Sequence, residues 1–116
     1  MPQFRPPARG DRILILKQPF LDLILSGVKT LEIRSRRLAR QKFFLGCRGH
    51  IYGSATVSDA VVVTAQEWRA MIPLHRWDVA EPPYARTWAH TLTQVVRSAA
   101  PLPYRHPRGA IGIVLY

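Results

Sequence analysis

The sequence predicts an α+β domain that is mostly β: a small curled sheet or barrel of about five or six strands with two short helices. Three observations carry this expectation. The apolar runs are strand-length, as in "ILIL" at 13–16 and "AVVV" at 60–63. Helical spacing backed by start or stop signals occurs in only two short stretches. The strand candidates are joined by brief connections within 116 residues, which leaves room for one modest core and suits a curled sheet.

The elements follow in order. Residues 1–11 carry arginines and prolines with no apolar stretch of a signal peptide behind them. They are expected to form a flexible basic arm, and 12–116 a single domain. "RILILK" (12–17) reads as a strand. "QPFLDLILSG" reads as a short helix, with Pro19 in its first turn, Phe20, Leu23 and Ile24 at i, i+3, i+4, and Gly27 as the C′ stop. Leu31 and Ile33 alternate as the buried side of the next strand. "KFFLGC" and "HIYGSATVSDAVVV" follow as strands about a turn at Arg48 and Gly49. In "TAQEWRAMI", Thr64 and Glu67 form a capping-box pattern that opens a second helix. Residues 73–86, with prolines at 73, 82 and 83, read as loop. "TWAHTLTQVV" fits two templates: Trp88, Leu92 and Val95 or Val96 make a helical stripe, whereas Thr, Trp and Val favour a strand. "GAIGIVLY" closes the chain as a strand.

Charge is the strongest bulk signal. Seventeen Lys and Arg against seven Asp and Glu give a net charge of +10 and pI ≈ 11.1. Most of the excess lies in the first fifty residues. Such a field attracts polyanions, of which nucleic acid is the commonest in a cytoplasm. Fourteen of the bases are arginine, so codon use in a GC-rich genome is a second source of the excess. No run approaches the ~18 apolar residues of a membrane span. The single cysteine, Cys47, excludes an internal disulfide framework and reads as a core residue in a reducing cytoplasm.

The densest cluster of charge is "SGVKTLEIRSRR" (26–37). On a strand, Thr30, Glu32 and Arg34 share the face opposite Leu31 and Ile33. Lys29 is out of phase, but its long stem can swing to the same side. Glu32 can orient the cations through charge-assisted hydrogen bonds, while the cations grip phosphate or a base. Substituting Lys29 or Glu32 is then expected to impair ligand binding at a nearly unchanged melting temperature. The competing reading is a solvated ion pair of little energetic weight.

The stretch "LILKQPFLDLILSGVKTLEIRSRRL" resembles the signature of the ASCH domain, a branch of the PUA-like superfamily. That pattern is a lysine-bearing strand, a short helix and then G-x-K-x-x-E-x-R, met here by Gly27, Lys29, Glu32 and Arg34. "GCRGHIYGSATVSD" looks like the family's central hairpin, and "YRHPRGAIGIVLY" like its closing strand, with Ile113 at a position where many members carry tryptophan. The resemblance covers 12–116. It implies a single ASCH/PUA-like domain, a small β-barrel, and makes "TWAHTLTQVV" a strand.

The resulting expectation is a cytoplasmic module whose basic cleft, built from Lys17, Lys29, Glu32, Arg34 and Arg36, binds single-stranded RNA or a nucleotide without cofactor, metal or membrane. RNA readers favour unpaired, splayed bases, which suits such a cleft. An enzyme is the alternative. One ASCH branch, similar in "ILSGVKT", removes the acetyl group from N4-acetylcytidine with a lysine, a threonine and a glutamate. Its threonine stands three residues after the lysine, where this chain has Glu32; Thr30 follows Lys29 by one. Ribonuclease activity is also linked to the family, and Lys29 with Glu32 would then supply acid and base.

The remaining candidates are weaker. His50, His75, His90 and His106 show no zinc-ligand spacing. His75-Arg76 and His106-Pro107-Arg108 fall in loops that could rim a groove. Trp68 and Trp88 read as core, and Trp77 and Tyr104 as exposed aromatics. Gly46, Gly49 and Gly53 serve a turn and a tight sheet.

Overall fold

The computed structural model describes residues 3–116; the first two residues of the expected arm lie outside the described residues. Six strands form one sheet in the order β2-β5-β4-β3-β1-β6, curled into a half-barrel. In chain order the elements are β1 (Arg12–Ile15), α1 (Phe20–Leu25), β2 (Leu31–Arg34), β3 (Lys42–Cys47), β4 (His50–Val62), α2 (Ala65–Ala70), α3 (Ile72–His75), β5 (Trp88–Pro103) and β6 (Ile113–Leu115). The mostly-β α+β expectation holds, and "TWAHTLTQVV" is strand, extended to sixteen residues.

One local feature departs from expectation. The stretch read as loop opens with a third helix, α3, one turn long. Pro73 suits its first positions, and Arg76 ends it in a left-handed conformation (φ 63°). The other two helices end as their sequences dictate. Gly27 follows α1 with φ 83°. In α2, Thr64 accepts from Glu67 N (3.2 Å), and the Glu67 carboxylate accepts from Thr64 N (2.9 Å). Those bonds, the backbone one foremost, hold the Glu67 carboxyl below its ordinary range.

β1 runs parallel to β3, with Ile13 opposite Phe44, so the chain needs a crossover, which α1 and β2 supply. β4 and β5 form the longest pairing, and its register shifts at three places. These bulges bend the sheet. At one of them Gly53 lies so close to the Val96 carbonyl and Leu25 that a Cβ has no room. The concave side packs Leu14, Leu16, Phe43, Leu45, Val57 and Leu92 with Leu21 and Ile24 of α1. Cys47 is buried in the same cluster. The convex side packs Ile13, Phe44, Ile51, Tyr104 and Val114, and Phe4 of the N-terminal segment lies edge-on to Phe44 at 5.9 Å. Tyr104 is therefore a core residue rather than an exposed aromatic: Gly46 leaves a gap that its ring fills. Leu31, Ile33, Val63, Trp68 and Ala89 form a third cluster under α2.

Candidate functional site

The site lies where the sheet fails to close, between the end of β1 and the edge strand β2. Backbone bonds fix the entry to β2 before it pairs: Lys29 N donates to Leu23 O (2.9 Å) and Thr30 N to Leu74 O (3.0 Å). Lys29 is thereby turned inward and is only 1% exposed. Its ammonium donates to the carbonyls of Leu31 and His75, both at 2.6 Å, and stands 3.6 Å from Glu32 Oε1. The two carbonyls take two of its three donors, and the Glu32 carboxylate is its ion-pair partner. The Phe20 ring lies beneath it, 4.8 Å to the centroid.

Burial pushes the Lys29 pKa down to about 8; Glu32 opposes the shift by charge and hydrogen bond, and Arg34 adds a small further lowering. At neutral pH the ammonium form still predominates. The stem does reach the Glu32 side, but the charged end is buried behind the cleft wall, bonded to two carbonyls and paired with Glu32. Lys29 is thus a positioning residue for Glu32, not a free phosphate contact.

Glu32, 5% exposed, takes Arg34 on its other oxygen: Nε donates to Oε2 at 2.8 Å and Nη2 lies at 2.7 Å. Arg34 Nη2 also donates to Ile15 O at 2.8 Å. The guanidinium therefore bridges β2 to β1 across the gap that no backbone ladder spans. Its Nη1 group makes no hydrogen bond among the described residues.

A cleft of about 740 Å³ opens over this pair. Glu32 and Arg34 line it, and Lys17, Arg36 and Arg37 add cations. Phe20, Trp77 and Tyr84 form an aromatic wall: Phe20 and Trp77 stack at 5.5 Å and 13°, and Tyr84 meets Trp77 edge-on at 6.3 Å. Ile111, Gly112 and Ile113 form the opposite lip. Four of the five residues expected from sequence, Lys17, Glu32, Arg34 and Arg36, thus share one cleft, with Lys29 directly behind it.

Sequence reasoning missed Tyr84, Phe20 as a wall residue, and the part played by two histidines. His90 stands opposite Glu32 in the β2–β5 register. Leu38 N donates to its Nε2 (2.8 Å), so its Nδ1 carries the proton and donates to Glu32 O (3.1 Å). His75 is stacked on Trp68 at 3.7 Å; Trp77 N donates to its Nδ1 (2.9 Å), and Nε2 donates to Trp68 O (3.1 Å). It is fully buried rather than rimming the groove. Only the strand pairing and the fold of α3 bring these rings to the site, and no local pattern signals either.

Both rings are neutral because burial, foremost, lowers their pKa below 6.5. The unfolded chain then binds protons that the folded one refuses. The stabilisation is complete above the unfolded value and is lost as pH falls through the folded values. Thermal melts from about pH 7 to about pH 5 are expected to show a falling midpoint; a flat profile would contradict the assigned hydrogen bonds.

No family model matches the sequence, and no curated protein is significantly similar to it. The fold is that of solved ASCH-domain proteins. The solved ASCH protein of Zymomonas mobilis matches with a TM-score of 0.70 over 94% of this chain and 89% of that one, at 14% identity. A serine-to-alanine variant of that protein matches at 0.58 (15% identity, 96% and 91% covered), and a tyrosine-to-phenylalanine variant at 0.59 (16% identity, 93% and 91% covered).

Proposed function

We propose that the cleft binds a nucleotide or a short stretch of single-stranded RNA. The observation that carries this reading is one cleft holding three kinds of group together. An aromatic wall (Phe20, Trp77, Tyr84) offers base-sized stacking, the Glu32–Arg34 pair on the floor offers hydrogen bonds to a base edge, and Lys17, Arg36 and Arg37 offer charge to phosphate. Stacking on an aromatic ring is worth about 1–3 kcal/mol per base, and the cations add a salt-dependent term. No helix among the described residues is long and apolar enough to cross a membrane, and the basic surface suits a polyanion of the cytoplasm.

A hydrolase reading draws on Lys29, whose pKa of about 8 beside Glu32 would suit proton transfer. Against it, the ammonium is committed to Leu31 O, His75 O and Glu32 and does not reach the cleft. Binding is the reading better supported.

Fluorescence anisotropy with labelled single-stranded RNA over a salt series tests it. Log affinity is expected to fall linearly with log salt, by roughly 0.7 per phosphate neutralised, and the RNA to be recovered intact. Absence of binding to any RNA at low salt would defeat the proposal; cleavage abolished by Lys29→Ala would favour the enzyme.

A further inference from the structure

A second hollow, on the convex side of the sheet and away from the cleft, has the chemistry of an anion site. Lys42 opens β3 opposite Thr56 of β4, and Ser54 lies two residues back on the same face. The N-terminal segment crosses above them, anchored by Phe4 against Phe44, which brings Arg5 to the hollow's edge. The Lys42 ammonium sits 4.7 Å above the centroid of the Phe44 ring. Neither Arg5 nor Lys42 is in an ion pair among the described residues, and no carboxylate lines the hollow.

The fifth component is a backbone outlier. Gln94 has φ 51° at the bulge where the partner of β4 jumps from Val96 to Thr93. A glutamine held in the left-handed region costs energy, and such outliers gather at functional positions. Its Oε1 accepts from Thr56 Oγ1 at 3.3 Å, so the amide N–H groups are the end left for another acceptor. Ser54, 3% exposed, also lines this hollow. Two cations, an amide and hydroxyls thus surround about 260 Å³. That is below the range for drug-sized ligands and suits one oxyanion better than a nucleoside.

We propose that Arg5, Lys42, Ser54 and Gln94 form a binding site for a single phosphate group, separate from the cleft and independent of its reading. Nuclear magnetic resonance with inorganic phosphate at constant ionic strength tests the site. Saturable shifts are expected at the backbone amides of Lys42, Ser54, Thr56 and Gln94. The double variant Arg5→Gln, Lys42→Gln, both at exposed positions, is expected to weaken them about tenfold, as loss of charge-assisted hydrogen bonds requires. No saturable shift at these amides, or equal affinity in the double variant, would overturn the site. RNA titrations then identify the source of the phosphate. A salt slope lowered by about 1.4 in the double variant marks two contacts to an RNA backbone. An unchanged slope with phosphate binding intact marks a free oxyanion, and the site stands.

Discussion

Glu32→Gln is expected to lower stability by about 3–5 kcal/mol, the cost of leaving one member of a buried ion pair alone. Glutamine keeps the shape and one acceptor but removes the countercharge from Lys29, which is 1% exposed and cannot turn to solvent. Arg34 loses its partner too, and with it the orientation that lets Nη2 bridge to Ile15 O. The melting temperature is expected to fall by roughly 10–20 °C. The expectation from sequence, an unchanged melting temperature for a binding site whose Lys29 and Glu32 are partly enclosed, is revised because both side chains are buried outright. Adding Lys29→Met is expected to recover part of the loss, since no uncompensated ammonium remains. Thermal unfolding followed by circular dichroism measures both. A Glu32→Gln variant melting within about a degree of the parent would show that the pair is not buried as described.

Trp68→Ala is the second large effect. Trp68 is fully buried, packs with Leu31, Ile33, Val63 and Ala89, and donates from Nε1 to Val79 O at 2.9 Å. Truncating a core tryptophan costs about 3–5 kcal/mol through lost transfer energy and the cavity left. The damage reaches the site because His75 stacks on this indole while its carbonyl holds the Lys29 ammonium. Trp68→Phe keeps most of the packing and is expected to lie between the two. Urea unfolding gives the values; a loss below about 1 kcal/mol for the alanine variant would contradict the packing.

Most of the fold was legible because its signals are local. Leu31 and Ile33 alternate, Thr64 and Glu67 cap α2, and Gly27 ends α1, each within a few residues. The site was legible in part for the same reason: Glu32 and Arg34 lie two residues apart on one strand and face the same way. What was not legible depends on pairing across the chain. His90 matters only because β5 lies beside β2, and Tyr84 only because its loop folds over Trp77. Lys29 was located but misjudged: two carbonyls, one of them 46 residues away, complete its shell, and sequence gives no hint of them. Trp88, read as core, is half-buried, with Arg37 lying 6.0 Å from its ring centroid.

The central claim, that the cleft and not merely the net charge binds RNA, is tested most directly by two charge-matched triple variants. Lys17→Gln, Arg36→Gln, Arg37→Gln removes three cleft cations, all exposed. Arg9→Gln, Arg69→Gln, Arg97→Gln removes three exposed arginines that do not line it. Anisotropy with one labelled single-stranded RNA over the same salt series is measured for the parent and both variants. The cleft variant is expected to lose about two units of salt slope and at least about tenfold in affinity at moderate salt, while the control stays near the parent. Equal losses in the two variants would mean that diffuse charge, not the cleft, holds the RNA.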